Sequence, residues 1–176
     1  MTLHNKLERE RLRQSFLPSR IRLLFIGESP PASGRFFYSG DSGLYRAMLA
    51  AFKTANANIS GDNFLRMFRA YGCYLTDLSL EPIDHVDLPL RRSMRTQAEN
   101  FLARQLTRFQ PEIIAPLLRS IAGNVNNAVG RAHWRGPILQ LPYPGRWSRY
   151  REEFIDAIVP VIRGLTSPER NRNLFE

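Results

Sequence analysis

The sequence predicts an α/β fold in which a central four-stranded parallel sheet lies between two layers of helices. Short apolar runs alternate along the chain with longer segments whose apolar residues recur every three or four positions, as amphipathic helices require. The first run, IRLLFI at 21–26, has no polar residue after its second position, which is typical of a parallel strand covered on both faces. Together these observations predict a three-layer αβα sandwich.

Each predicted strand is followed by at least one helical segment. The predicted strands are 21–26, 73–78, 112–118 and 137–141, and the predicted helices are 42–56, 62–72, 93–109, about 120–130 and 148–162. Ser42 is placed to cap the first of these helices, and Gly72 and Pro111 are placed to end the second and third. Pro160 lies inside the last helix and predicts a kink.

The whole chain fits one domain, because 176 residues are enough to bury a single core. We expect this domain to span 1–176, with an N-terminal helical extension at 1–19 and a polar tail at 165–176. The charged N-terminus is unlike a signal peptide, and no apolar run approaches the ~20 residues of a membrane helix. The single Cys73 excludes an internal disulfide and a multi-cysteine metal site. We therefore expect a cytoplasmic monomer without a metal or other cofactor.

The charge favours a polyanionic partner. The formal net charge is +9, and all but two (Lys6 and Lys53) of the 25 basic residues are arginine. Arginine binds phosphate through a planar fork of N–H groups, so this composition favours nucleic acid. A generic basic surface is the alternative interpretation.

Four segments are expected at the edge of the sheet where ligands bind, beyond the carboxyl ends of the strands. They are 27–31, 77–78, 119–124 and 141–147. The first segment is GESPP, a polar turn whose two prolines restrict the backbone. Three successive aromatic residues follow it at 36–38. These segments are the candidates for function.

Three of these segments, with the aromatic loop at 34–40, resemble the uracil-DNA glycosylase superfamily in order and spacing. The resemblance covers roughly residues 20 to 163. GESPP at 27–31 is similar to the first motif, G-E-A-P-G in the thermostable branch, and GRFFYSG at 34–40 is similar to G-R-P-F-V-G. TDL at 76–78 matches a strand that ends in T-N-L, and LPYP at 141–144 matches the second motif, H-P-S-P.

The chain also departs from the superfamily pattern. Asp77 replaces the asparagine of the second strand, Leu141 replaces the histidine of the second motif, and Ser29 stands at the water-activating position of some branches. The four cysteines that hold an iron–sulfur cluster in the thermostable branch are absent. The resemblance implies the fold, DNA as the partner and hydrolysis of the N-glycosidic bond of a flipped base, without a metal.

Two acids and a serine are the candidate catalytic residues. Cleavage makes the sugar cation-like, so a carboxylate or a positioned water must lie against it. Glu28 and Asp77 are predicted for this role, and Ser29 to position water. The alternatives are that Glu28 pairs with an arginine, that Ser29 bonds local backbone and that Asp77 caps a turn. The candidate base-binding residues are Gly27, Pro30, Phe37, Asp77 and Tyr143.

Three successive rings, Phe36, Phe37 and Tyr38, lie in the loop after the first motif. Successive side chains diverge, so we expect at least one ring to reach solvent or a ligand. A base stacked on an aromatic ring gains about 1–3 kcal/mol. The resemblance assigns this stacking to Phe37, and two of the rings are then expected in the core.

Asp77 also bears on which base is bound. An asparagine offers both a donor and an acceptor, whereas an ionised aspartate only accepts hydrogen bonds. Cytosine presents an amino donor at N4. We therefore predict a cytosine-type or modified base in preference to uracil.

The candidate DNA-binding residues lie on three segments. They are Arg35, Arg91, Arg92, Pro142, Pro144, Gly145, Arg146 and Trp147. In the superfamily the loop after the second motif presses into the minor groove, which implies Arg146 and Trp147 as wedges. Arg91 and Arg92 lie near a predicted helix start, where anions are favoured; a solvated basic face is the alternative there, and a core position is the alternative for Trp147.

Three functions are therefore compatible with the sequence. The first is a glycosylase acting on single- or double-stranded DNA. The second is an inactive superfamily member that binds nucleic acid or a nucleotide. The third is an interaction protein whose charge docks an acidic partner.

Overall fold

Three parallel strands form the centre of the computed structural model, which describes residues 5–144 and 148–166. The strands are β1 (Leu23–Gly27), β2 (Cys73–Asp77) and β3 (Ile113–Pro116), in the order β2-β1-β3. β1 pairs with β2 in a register that runs from Leu23–Cys73 to Gly27–Asp77. All five residues of β1 are buried, so this strand is covered on both faces.

Helices connect the strands and surround the sheet. They are α1 (Lys6–Ser15), α2 (Gly43–Ala55), α3 (Phe64–Ala70), α4 (Leu88–Phe109), α5 (Ala122–Ala132) and α6 (Ser148–Thr166). Single 3₁₀ turns lie at Phe37–Ser39 and Arg119–Ile121. None of the helices in residues 5–144 and 148–166 is both long and apolar enough to cross a bilayer.

The helices lie on two faces of the sheet. The chain passes from β1 to β2 on one side and then crosses back to β3 on the other side of β1. Because such parallel crossovers are right-handed, α2 and α3 must lie on the face opposite α4. α6 packs against α2, and α5 packs against α4. This arrangement agrees with the predicted αβα layering.

The prediction of a regular fourth strand at 137–141 was wrong. Residues 137–141 run beside β3, but only Ile138 forms a bridge, with Ile114. Leu139 N donates to Ile114 O, and Leu141 N donates to Pro116 O. In a regular ladder a further hydrogen bond would lie between these two hydrogen bonds. Its donor would be the backbone N–H of Pro116, which proline lacks. The sheet therefore has three regular strands and one interrupted edge segment.

The predicted helix 93–109 begins five residues earlier than expected. Asp87 caps α4, and its side chain accepts a hydrogen bond from Leu90 N at 3.1 Å. Pro89 lies in the first turn, where its missing N–H costs no helical hydrogen bond. Ser42 caps α2 as predicted, accepting from Tyr45 N at 3.1 Å.

The free edge of β2 is covered by an aromatic side chain. The hydroxyl of Tyr38 accepts a hydrogen bond from Leu75 N at 2.8 Å and donates one to Leu75 O at 3.0 Å. Phe16, just after α1, stacks on the ring of Tyr38 with 5.4 Å between ring centres. The aromatic loop and the N-terminal segment therefore satisfy and shield an edge that would otherwise be exposed.

Replacing Tyr38 by phenylalanine should destabilise the fold. The change removes one oxygen that serves two buried backbone groups of Leu75, and each unsatisfied buried group costs about 1–3 kcal/mol. We expect urea unfolding to show a loss of about 2 kcal/mol or more. Tyr45→Phe is the matched control, because its hydroxyl donates to Gly61 O at an exposed position. Equal losses in the two variants would contradict the role of Tyr38 at this edge.

Candidate active site

The first motif and Asp77 meet at the carboxyl ends of β1 and β2. Gly27 and Asp77 are paired in the strand register. A methyl group added at Gly27 would lie closer than 3.0 Å to Asp77 Oδ1, so only glycine leaves room for this carboxylate. The parallel register thus places the two predicted elements side by side, and both residues are buried.

Glu28 is held by two arginines from the first turns of α4. Arg91 Nε donates to Glu28 Oε1 at 2.7 Å, and Arg91 Nη2 donates to Oε2. Arg95 Nε donates to Oε1 at 2.6 Å. Glu28 is 6% exposed, whereas the side chain of Arg91 is 25% exposed. The residue predicted to activate water is therefore also the partner of Arg91, which was predicted to bind DNA.

The arginines determine the ionisation of Glu28. Burial alone would raise the pKa of Glu28, but the hydrogen bonds from Arg91 and Arg95 outweigh it and lower the pKa. The carboxylate therefore stays ionised at neutral pH and is a weak base. Two guanidinium groups against one carboxylate also leave a net positive charge in this cluster.

The rest of the first motif is tied to the loop after β2. Ser29 Oγ accepts a hydrogen bond from Ile83 N at 3.3 Å, and Ala32 N donates to Asp84 Oδ1 at 3.0 Å. Ser29 thus bonds the backbone of a distant segment and not of its own turn, and its hydroxyl keeps its proton for another acceptor. Pro30 is buried between these contacts, which fixes the wall of the site.

Asp77 forms a buried ion pair with an arginine from α1. Arg13 Nη2 donates to Asp77 Oδ2 at 2.7 Å, and Arg13 Nη1 donates to Thr76 Oγ1 at 3.2 Å. Arg13 is 1% exposed and Asp77 is 5% exposed. Burial raises the pKa of Asp77, Arg13 opposes this rise, and the nearby charge of Glu28 adds to it. The two acids therefore belong to one electrostatic site.

All three rings of the aromatic loop are buried, so none of them reaches solvent; that one of them meets a ligand stays a prediction. Phe36 is extended just before the 3₁₀ turn that contains Phe37 and Tyr38, and each of the three rings is covered. Arg13 lies over Phe36, Phe16 stacks on Tyr38, and Phe37 packs edge-on against rings of α2 and α3. Phe37 as the base-stacking ring stays a prediction.

The second motif lies beside the end of β3. Leu141 is fully buried, so it is a core residue where the superfamily has a histidine. Pro142 is half-buried and Pro144 is buried. Tyr143 is 38% exposed, which suits a residue that meets a ligand. The predicted DNA-binding residues Gly145, Arg146 and Trp147 lie outside the described residues.

The other predicted DNA contacts differ in their surroundings. Arg35 and Arg92 are exposed, as phosphate contacts require. Two leucines in the first turn of α4, Leu88 and Leu90, are 53% and 52% exposed. These leucines were not among the predicted site residues, although the run LPLRR joins apolar and basic residues at a helix start.

The sequence did not predict the ion pairs that Arg13 and Arg95 form. Their partners, Asp77 and Glu28, are 64 and 67 residues away in the chain, and no local spacing indicates such pairs. The only signal is that ERER at 8–11 continues with a further arginine at the helical spacing of Arg9. Arg9 and Arg13 then lie on one face of α1, and both are buried.

Two cavities lie near this sheet. One of about 190 Å³ adjoins the pair of Arg13 and Asp77; it is bounded by α1, β2 and α4 and is lined by Arg13, Thr76 and Tyr74 among others. A more open groove of about 390 Å³ lies between α4 and α5. Gly27 and Tyr143 line neither of them. Within the part of the chain that the structure describes, no three His, Cys, Asp or Glu side chains are grouped as a metal site would need.

Comparison with known proteins agrees with these motifs. The family model of the uracil DNA glycosylase superfamily matches residues 14–163. The match begins just after Arg13, so α1 lies almost wholly before the matched region. No curated protein matches the chain.

Replacing Glu28 by glutamine should destabilise the protein at neutral pH and not at acidic pH. The variant leaves buried Arg95 without a charged partner, and breaking such a pair costs about 3–5 kcal/mol. The pKa of Glu28 is lowered by folding, so its contribution is complete above the unfolded pKa of about 4.5 and disappears as the pH falls through the folded pKa. Urea unfolding from pH 7 to pH 3 measures the difference between variant and wild type.

Glu153→Gln is the control for this experiment, since Glu153 forms an exposed pair with Arg149 one turn earlier in α6. Such pairs contribute about 0.3–0.5 kcal/mol. A difference between Glu28→Gln and wild type that stays constant down to pH 3 would contradict the assigned ion pair.

Proposed function

This chain belongs to the uracil DNA glycosylase superfamily, and we propose that it hydrolyses the N-glycosidic bond of a base extruded from DNA. The observation that carries the proposal is the ionised Glu28 at the end of β1, oriented by Arg91 and Arg95 beside Ser29. A glycosylase needs a fixed anion or water at the reacting sugar. The proposed enzyme is a monomer and uses no cofactor.

Glu28 acts in this proposal as an anchor for water. Its pKa is lowered, so it is too weak a base to remove a proton early in the reaction. Its Oε2 accepts from Arg91 and, as a carboxylate oxygen, has a second lone pair for a water molecule. Because the sugar is cation-like in the transition state, an oriented water next to an anion is sufficient. The hydroxyl of Ser29 supplies a second contact to this water.

The departing base carries negative charge that the protein must meet with donors. Leu141 removes the histidine that would donate in other superfamily members. Tyr143 is exposed and carries a hydroxyl, and the cluster of Arg91 and Arg95 has more positive than negative charge. We assign stabilisation of the departing base to these groups.

DNA lies, in this proposal, along the surface formed by the start of α4 and the loops after β1 and β3. Exposed Arg35 and Arg92 contact phosphates, and the segment 142–147 follows the minor groove. Leu88 and Leu90 are exposed apolar side chains beside these arginines. Apolar side chains at such positions insert between base steps and help a nucleotide to leave the stack.

Binding without cleavage is the second candidate function. One observation favours it: Glu28 and Asp77 are both already paired with arginines, and the second motif lacks its histidine. In that case the basic surface binds nucleic acid and no bond is broken.

Formation of abasic sites distinguishes the two functions. The substrates are single- and double-stranded oligonucleotides with uracil, mismatched thymine, cytosine or modified cytosine. We expect abasic product from at least one amino-bearing base, and a loss of about 10²-fold or more in Glu28→Gln, because positioned water is lost. Glu153→Gln should keep the wild-type rate. Salt-dependent DNA binding with no product from any oligonucleotide would support the second function and overturn the first.

Replacing Arg92 by alanine should weaken DNA binding and its dependence on salt. Removing one phosphate contact lowers the slope of log K against log salt concentration by about 1. Arg104→Ala is the matched control, since Arg104 is an exposed arginine on the same helix, roughly 18 Å further along it at 1.5 Å per residue. Fluorescence anisotropy at several salt concentrations gives both slopes. Identical slopes for the two variants would remove Arg92 from the interface.

A further inference from the structure

The cavity bounded by α1, β2 and α4 has no part in the proposed function. Its volume is about 190 Å³, and Tyr74 and Thr76 of β2 line it. Alternate side chains of a strand lie on opposite faces of the sheet, so these two residues face away from the side of Asp77. Asp77 does not line the cavity, and neither do Gly27 and Glu28. The cavity is therefore separate from the candidate active site.

The inner wall of the cavity carries a hydroxyl group that the protein leaves without a partner. Tyr74 is 3% exposed, and no group within residues 5–144 and 148–166 forms a hydrogen bond with its hydroxyl. Burial raises the pKa of Tyr74 to about 12, so the hydroxyl stays protonated at neutral pH and can donate. Buried polar groups normally have a hydrogen-bond partner. An acceptor atom on a bound molecule would supply the missing partner.

The side walls of the cavity are apolar. Phe101 and Phe109 line it from α4, eight residues apart on one face of the helix, and Leu17 and Leu80 add aliphatic surface. A cavity of about 150 Å³ with walls of this kind holds a benzene ring. The present cavity is slightly larger, so it accommodates one six-membered ring with small substituents.

The charge at the opening of the cavity is positive. Arg108 lines the cavity and is exposed, and its guanidinium lies 5.5 Å from the centre of the Phe109 ring. In the described part of the chain no acid forms an ion pair with Arg108, whereas the other arginine of the cavity, Arg13, is paired with Glu10 and Asp77. The N–H groups of an arginine can bind a carboxylate through two parallel hydrogen bonds. Arg108 is therefore placed to bind an anionic substituent.

We propose that this cavity is a binding site for a single-ring aromatic carboxylic acid. The carboxylate binds Arg108 at the opening, the ring packs against Phe101 and Phe109, and a polar atom on the ring accepts a hydrogen bond from Tyr74. The site goes beyond the proposed glycosylase activity and does not depend on it, because no residue of the candidate active site makes these contacts.

Two ring acids that differ by one hydroxyl are the first probes. We expect 4-hydroxybenzoate to bind the wild-type protein about fivefold more tightly than benzoate, because only its hydroxyl accepts from Tyr74. At about ten times its dissociation constant, 4-hydroxybenzoate should raise the melting temperature by about 4 °C. The neutral 4-hydroxybenzamide should bind about tenfold more weakly than 4-hydroxybenzoate, because it lacks the charge that Arg108 binds. NMR shifts of the methyl groups of Leu17 and Leu80 report binding inside the cavity.

Replacing Arg108 by glutamine tests the contact with the carboxylate. The variant should bind both acids about tenfold more weakly than the wild type, because a charge-assisted hydrogen bond is lost. Arg104→Gln is the matched control, since Arg104 is an exposed arginine one turn earlier in α4 and lines the groove beside α5 but not this cavity. The control should keep the wild-type affinity.

Replacing Tyr74 by phenylalanine tests the contact inside the cavity. The variant should bind 4-hydroxybenzoate and benzoate equally, with the wild-type affinity for benzoate. It is expected to fold, because the hydroxyl that it lacks bonds no group in the described part of the protein.

Three results would each overturn the proposal. They are unchanged methyl signals of Leu17 and Leu80 at millimolar concentrations of both acids, equal affinities of Arg108→Gln and Arg104→Gln, and a Tyr74→Phe variant that keeps the preference for 4-hydroxybenzoate. None of these measurements uses DNA, so a failure of the proposed glycosylase activity would leave their outcome unchanged.

Discussion

The pairing of two buried carboxylates with arginines is the constraint on which this site depends. Asp77 and Glu28 end adjacent strands and are both almost fully removed from water. A buried carboxylate without a partner is strongly unfavourable, and it is tolerated only when a counter-charge and hydrogen bonds accompany it. Arg13 meets this requirement for Asp77, and Arg91 and Arg95 meet it for Glu28. The packing of α1 and of the start of α4 against the sheet follows from these pairs.

The two carboxylates are held by different elements. Glu28 is bonded by two arginines of α4, the helix of the β2–β3 crossover. Asp77 is bonded from α1, which precedes β1. Leu12, Phe16 and Leu17 pack this N-terminal segment against the core, so apolar contacts as well as the ion pair keep Arg13 at Asp77.

The fold could be predicted from the sequence because it depends on local patterns. Apolar runs and helical periodicity predicted three regular strands and six helical regions that the structure contains. The hydroxyl of Ser42 predicted the helix cap. Pro116 lies in the third predicted strand, but its effect on the neighbouring segment depends on which edge its missing N–H faces. No ring of Phe36 to Tyr38 reaches solvent, because the N-terminal segment, α2 and α3 cover them. The partner of Asp77 was not found because Arg13 is distant in the chain. Contacts that join separated segments leave no periodic signal.

The internal ion pairs also affect the argument from net charge. The acids Glu28, Asp77 and Glu99 are buried in ion pairs, whereas the side chains of two of their partners, Arg91 and Arg131, are 25% and 46% exposed. The net charge of +9 is unchanged by neutral pairs, but fewer acidic side chains remain outside to balance it. The exterior is consequently more uniformly basic than the composition suggests. Arg91 both stabilises the site and can attract a polyanion, because it holds Glu28 and is partly exposed, and the buried acids leave fewer negative charges outside to oppose the attraction of a polyanion.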